Sequence, residues 1–180
     1  MKMNTEKLIK NIIDQIKEAQ IKLGFAKETT RLYYPVESLN AMLGIHAKND
    51  KEMLELLASS DIHNTGLGTL LFSAHKGRIE ISVTPEGAEY VHEYVEEPAF
   101  LKAIIELFRQ NHHCTVSDVR ALFERFSKDY VCEKMSEGSD FDEVFYFKDA
   151  SVDSYYYCVK EEMGHTIYHR FTKEDMENLW

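Results

Sequence analysis

Histidine and cysteine are the side chains of this sequence that could hold a metal ion. His112, His113 and Cys114 are contiguous, whereas the ligands of known zinc sites are usually separated by two or more residues. His165 and His169 have the i, i+4 spacing that chelates an ion on a helix. The β-branched and aromatic residues around them predict a strand instead, on which two such side chains lie about 13 Å apart. We therefore expect no metal site and no cofactor.

Covalent or acid–base catalysis has little support in the motifs. The sequence contains no G-x-S-x-G segment and no Cys/His order typical of a known nucleophile family. Gly66-Leu67-Gly68 precedes a predicted strand instead of opening a helix, so it does not fit a phosphate or dinucleotide loop. The acidic residues lie mostly at predicted helix starts or on solvated faces. We expect no catalytic residue and predict that the protein is not an enzyme.

Basic side chains that could contact nucleic acid lie at the turn of a predicted hairpin. His75, Lys76 and Arg78 flank Gly77, and such a turn can reach phosphates or the minor groove. The predicted third helix of this region, over about 50–57, is net acidic and has no Arg, Asn or Gln to read base edges. This pattern argues against nucleic acid as a partner, and DNA binding through the hairpin is kept as the alternative.

Aromatic side chains crowd the predicted strands of the second half. Because consecutive residues of a strand point to opposite faces of a sheet, one core cannot bury all of them. An aromatic face rimmed by acidic residues suits a basic or apolar protein partner, unless the first half or a second copy of the chain covers it. The tyrosines predicted to contribute to such a binding surface are Tyr146, Tyr155, Tyr156, Tyr157 and Tyr168.

Hydrophobic periodicity predicts the elements that position these residues in the first half. Apolar residues recur at helical spacing over 8–23, between a cap at Asn4 or Thr5 and a stop at Gly24. The stretch 25–34 is predicted to be a connection. The remaining predicted elements are helices at 36–43 and about 50–57, a hairpin of strands at 69–73 and 78–83, and a closing helix from Pro85.

The second half is predicted to repeat this order, with helices opening at Pro98 and Thr115, a third helix over about 127–136, strands at 143–148, 154–160 and 165–171, and a helix after Thr172. Two aligned segments support the repeat: 35–43 beside 115–123, and 83–86 beside 171–174. We predict an α+β fold of two tandem units, residues 1–97 and 98–180, the second with a larger, aromatic-rich antiparallel sheet. The alternative is a single α+β domain.

Composition and charge limit the class of protein. The 180 residues are 44% hydrophobic and carry a net charge of −10, and an acidic surface repels phosphate backbones. No apolar run approaches the roughly 20 residues of a membrane span, and the N-terminus does not read as a secretory signal. Three widely spaced cysteines, Cys114, Cys132 and Cys158, do not form a disulfide framework. We therefore expect a cytoplasmic protein that does not contact membranes.

Two sequence segments carry resemblances. Residues 79–87 resemble the end of a winged-helix domain of bacterial regulators, in which the second wing strand leads through a Leu-Thr-x-x-Gly-like turn into a closing helix. Residues 24–35, with 38–40 and 43–44, resemble a family of gut Firmicute proteins known as a domain of unknown function. That resemblance implies no activity, ligand or catalytic residue.

The repeated element order and the resemblance of residues 79–87 lead us to predict tandem winged-helix-like units. At the level of architecture, an acidic pair of winged helices resembles the accessory subunits of bacterial chromosome-condensing complexes, which hold a protein partner. We therefore predict a non-enzymatic protein-interaction or regulatory module that binds a protein partner or forms a homodimer. The alternative is a winged-helix DNA-binding transcriptional regulator.

Overall fold

The computed structural model describes residues 3–63 and 66–179, and the chain divides into two compact units, Met1–Glu96 and Glu97–Trp180. The predicted α+β class is confirmed. Within the described residues, seven α-helices accompany one antiparallel sheet of three strands and one of four.

The first unit alternates helices with short strands around a single sheet. Its elements are α1 (Thr5–Leu23), β1 (Thr30–Tyr34), α2 (Val36–Leu43), α3 (Asp50–Ala58), a 3-10 turn (Asp61–His63), β2 (Leu70–His75), β3 (Arg78–Val83) and α4 (Pro85–Tyr94). The sheet has the strand order β1-β3-β2, so the first strand pairs with the last. The core lies between the apolar side of α1 and the inward residues of β3, Ile79, Ile81 and Val83.

The prediction that 25–34 is only a connection was wrong, because it contains β1. Leu32 and Tyr34 turn toward the core while Arg31 and Tyr33 are exposed, which is the alternation of a half-buried strand. Five residues are too few for this period to stand out in a sequence. Antiparallel pairing with β3, from Thr30 opposite Val83 onward, is what fixes the strand.

The hairpin of β2 and β3 closes through a two-residue turn. Its two residues, Lys76 and Gly77, have φ of 50° and 77°, as a type I′ turn requires. His75 pairs directly with Arg78 across the turn. The hairpin therefore extends two residues further toward its tip than the sequence predicted, and it places His75, Lys76 and Arg78 at the tip.

Close backbone packing explains the glycine in the first turn of α4. A Cβ at Gly87 would lie 2.5 Å from the carbonyl oxygen of Leu67 and 2.6 Å from a methyl group of Val83. We expect Gly87→Ala to lower the free energy of unfolding by about 2 kcal/mol, because a backbone atom must move to admit the methyl group. Urea unfolding measures this change. A gain in stability, which Gly→Ala gives at an unhindered helical position, would contradict the close packing. Glu93→Ala, an exposed change in the same helix, is the control.

The second unit places two helices before a four-stranded meander and a short helix after it. Its elements are α5 (Ala99–Gln110), α6 (Val116–Phe126), β4 (Tyr130–Lys134), β5 (Glu143–Phe147), β6 (Tyr156–Glu162), β7 (His165–Phe171) and α7 (Lys173–Leu179). The strands follow chain order, β4-β5-β6-β7, and each pairs antiparallel with the next. Thr115 begins α6 with a reciprocal capping box to Asp118.

The helix predicted over 127–136 was wrong, since that segment forms β4. Tyr130, Val131 and Cys132 are aromatic, β-branched and thiol residues that favour a strand. β4 pairs along its whole length with β5, from Tyr130 opposite Phe147 to Lys134 opposite Glu143. The second unit consequently does not repeat the element order of the first. Among the described helices, none combines the length and apolar composition needed to cross a membrane.

Candidate interaction surface

The sheet of the second unit has two faces with different surroundings. Phe145 and Tyr157 are paired across β5 and β6, and both are fully buried on the face that packs against α5 and α6. Val144 and Cys158, the neighbouring pair, therefore point to the opposite face. We call that opposite side the outer face. Tyr146 and Tyr156 lie on it as well, each two residues from Val144 or Cys158 along its strand.

The structure does not bring the five predicted tyrosines together. Tyr157 has an exposed fraction of 0% and Tyr155 of 8%, so neither side chain is available to a partner. Tyr155 instead lies under the guanidinium of Arg170, 4.1 Å from its ring centre. Tyr168 is half-buried on the core side, where its ring contacts Phe108 at a centroid distance of 4.9 Å. Tyr146 and Tyr156 are the two that remain on the outer face.

Tyr146 and Tyr156 form a stacked pair. Their ring centroids are 4.3 Å apart with an interplanar angle of 26°, and both side chains are half-buried. Burial is the main cause that raises the pKa of each phenol. The negative charge of Glu133 adds to the pKa increase of both, and that of Glu177 adds to the increase for Tyr156. Two carboxylates therefore act on one aromatic pair.

Helix α7 covers the centre of the outer face. Met176 is buried, with an exposed fraction of 3%, and it packs on Val144 and Cys158 with its sulfur 3.5 Å from the Cys158 sulfur. Burial raises the pKa of the Cys158 thiol to about 11, so this thiol is protonated at neutral pH and is a poor nucleophile. This small cluster of Val144, Cys158 and Met176 was not predicted from the sequence. The alternation of Val144 with Phe145, and of Cys158 with Tyr157, was the signal for it.

Further aromatic rings extend the outer face toward β7. Phe141 lies 5.3 Å from the ring of His169 and 5.8 Å from that of Phe171, between ring centroids. Phe141 and Phe171 belong to the same partly buried cluster as the tyrosine pair. The outer face thus presents a band of half-exposed rings. These rings are not fully buried in a core, so part of each remains available for contact with another molecule.

The hairpin tip of the first unit carries the residues of the alternative prediction. The structure brings His75, Lys76 and Arg78 together there, and all three are exposed. The tip thus combines exposed cationic residues with a tight turn that could reach into a groove. Helix α3, in contrast, presents acidic residues, with Lys51 as its single cation.

Three lysines of α1 are engaged by other groups of the first unit. Lys10 and Lys22 form i, i+4 ion pairs with Asp14 and Glu18, at 2.6 and 2.7 Å. Lys17 is buried and donates a hydrogen bond from Nζ to the main-chain carbonyl of Val91, at 3.1 Å, near the end of α4. This position suits a cation because it faces the negative end of the helix dipole.

The structure places two of the histidines together. The His165 Nδ1 lies 3.0 Å from the carbonyl oxygen of His112, so Nδ1–H donates to it. The rings of His113 and His165 stack at a centroid distance of 5.9 Å. His169 lies elsewhere, beside Phe141. In the part of the chain that the structure describes, no three His, Cys, Asp or Glu side chains are arranged to hold a metal ion.

Comparison with known proteins identifies one relationship. A family model described as "Domain of unknown function, E. rectale Gene description" matches residues 5–180. No curated protein and no solved structure matches the chain.

Proposed function

The chain belongs to this family of unknown function, and we propose that it is a protein-interaction module whose outer face binds a protein partner. The observation that carries the proposal is the stacked, half-exposed Tyr146–Tyr156 pair beside carboxylates. Tyrosine is enriched in protein interfaces because it combines a large apolar ring with a polar group.

The architecture supports this proposal. The first unit has the arrangement expected of a winged-helix-like unit: a helix and a strand are followed by two helices and a hairpin, and the strand order is β1-β3-β2. The helix in the position of a recognition helix, α3, is acidic. In α1, Lys10 and Lys22 are held in ion pairs and Lys17 is buried. These charges favour protein over nucleic acid as the partner.

We further propose that the module is not an enzyme and acts in the cytoplasm. The raised pKa values of the Cys114, Cys132 and Cys158 thiols, each about 11, suit structural residues more than nucleophiles. The same three cysteines are free thiols, which supports a reducing compartment.

Replacing both outer tyrosines is expected to abolish association while preserving the fold. The variant Tyr146→Ser/Tyr156→Ser removes two half-exposed rings and leaves the fully buried Phe145 and Tyr157 in place. We expect recovery of co-purified protein from the native host to fall at least about tenfold, as is typical when aromatic anchors of an interface are removed. Tagged wild-type and variant protein, purified in mild salt and after nuclease treatment, are compared by quantitative mass spectrometry, and circular dichroism checks folding.

Tyr94→Ser is the matched control, because Tyr94 is exposed and lies in the first unit. Unchanged recovery with the outer-face variant would contradict the proposed function. Co-purification that disappears after nuclease treatment, weakens with salt and is reduced by Lys76→Ala/Arg78→Ala would instead establish the DNA-binding alternative.

A further inference from the structure

We propose that the outer face recognises a cationic side chain, an arginine or lysine of a basic segment in the partner, held against the Tyr146–Tyr156 pair beside Glu133 and Glu177. The inference rests on the proposed function and specifies the chemistry of its partner.

The strand register places a carboxylate beside the stacked rings. Tyr146 lies opposite Val131 on β4, and Glu133 is the next residue of β4 on the same face, opposite Val144. Diagonal neighbours of this kind are about 7–8 Å apart, within reach of long side chains. Glu133 is exposed, so its carboxylate is accessible from solvent.

Helix α7 supplies the second carboxylate. Met176 anchors the helix on Val144 and Cys158, and the next residue, Glu177, is exposed. After burial itself, the negative charge of Glu177 is the largest cause that raises the pKa of Tyr156. Glu133 and Glu177 therefore approach the aromatic pair from different elements, one from the edge strand and one from the terminal helix.

Three lysines near this site, Lys148, Lys160 and Lys173, are engaged in ion pairs. Lys148, whose charge lowers the pKa of Tyr146, pairs with Asp129 at 3.1 Å. Lys160 pairs with Glu162 at 3.7 Å. Lys173 approaches Glu177 only at 4.0 Å, the weakest of these pairs, with both side chains well exposed. The surrounding sequence, 132–162, contains nine acidic residues and three lysines, so the local charge is negative.

This combination favours a cation over an apolar or acidic group. A guanidinium or ammonium is attracted both by the face of an aromatic ring and by a carboxylate, whereas an apolar side chain gains nothing from the two glutamates. An acidic group would be repelled. Arginine fits best, because its planar guanidinium can stack on a tyrosine ring and donate to a carboxylate at the same time.

Titration with short peptides tests the cation directly. The probes are acetyl-Gly-Arg-Gly-Arg-Gly-amide, its lysine counterpart and its glutamine counterpart, added to the full chain and followed by NMR. We expect the arginine peptide to shift the signals of Tyr146 and Tyr156 with a dissociation constant on the order of millimolar. The lysine peptide is expected to bind more weakly, and the glutamine peptide to cause no shift at the same concentration.

Charge removal provides the matched test. The variant Glu133→Gln/Glu177→Gln is expected to weaken arginine-peptide binding about fivefold, as the loss of two exposed ion pairs should. Glu106→Gln, an exposed change of the same charge on α5, is expected to leave binding unchanged.

Cation recognition would be overturned if the glutamine and arginine peptides caused equal shifts, or if no peptide caused a shift. It would also be overturned if Glu133→Gln/Glu177→Gln bound the arginine peptide as well as Glu106→Gln does. The proposed function is tested separately. If co-purification still depends on Tyr146 and Tyr156, the interaction surface stands and its partner presents an apolar group. If that dependence is also absent, both proposals fail.

Discussion

Replacing Phe100 by alanine is expected to lower the free energy of unfolding of the second unit by about 4 kcal/mol. The Phe100 ring is buried and meets three other rings nearly edge-on, Phe126, Phe147 and Tyr157, at centroid distances of 5.2, 4.8 and 5.3 Å. It also contacts Phe123 at 4.6 Å. Truncation therefore removes buried apolar area, leaves a cavity, and breaks four aromatic contacts at once.

A loss of this size is a large part of the total stability of a small domain, about 5–15 kcal/mol. Urea unfolding followed through NMR signals of β5 and β6 measures it in the second unit itself. Phe25→Ala is the matched control, because Phe25 is partly exposed in the first unit and stacks on His92 alone among the described rings. A loss below about 1 kcal/mol for Phe100→Ala would contradict the central position of this ring.

The long helices and the β2–β3 hairpin could be predicted because their signals are local. The 3.6-residue period of α1 and the alternation of Ile79, Ile81 and Val83 in β3 depend on residues close together in sequence. The strands β5, β6 and β7 likewise fall within or close to the predicted ranges. Their short, aromatic and β-branched runs are bounded by acidic turns, which is typical of strands.

The two five-residue strands, β1 and β4, could not be predicted because pairing partners define them. β1 pairs with β3, about 50 residues later in the chain. β4 pairs with β5 across a connection that contains Gly138 and Ser139. A run of five residues contains barely more than two periods of alternation, so the sequence of β4 was compatible with a helix until its partner was known.

The sequence predicts which tyrosines of the candidate surface share a face, but not which face is exposed. Alternation along β5 and β6 correctly separates Tyr146 from Phe145, and Tyr156 from Tyr155 and Tyr157. It cannot tell which set is buried, because that depends on Phe100 and Phe123, far earlier in the chain, packing on one face. The five tyrosines predicted as one surface are consequently divided between the core and the outer face.

Asp153→Ala is expected to lower the free energy of unfolding of the second unit by about 3 kcal/mol, because it removes two buried hydrogen-bond acceptors. Asp153 is buried, and its Oδ1 accepts from the main-chain N–H of Tyr155 at 2.8 Å. Its Oδ2 accepts from the hydroxyl of Tyr157 at 3.0 Å. Hydrogen bonds to a charged acceptor are about twice as strong as neutral ones, and the Tyr157 side chain has no contact with solvent.

A double-mutant cycle separates the hydroxyl contact from the rest of this effect. Tyr157→Phe alone is expected to cost about 1 kcal/mol, and adding it to Asp153→Ala should cost little more, because both changes break the same bond. Asp149→Ala is the control: Asp149 accepts a similar hydrogen bond from the Ser151 N–H at 2.9 Å, but it is exposed, so a clearly smaller loss is expected. Equal losses for the two aspartate variants in urea unfolding, or strictly additive losses in the cycle, would show that the Asp153–Tyr157 contact does not hold β6 against the core. The position of Tyr157 on the core face, and with it the exposure of Tyr156 on the outer face, would then depend on ring packing alone.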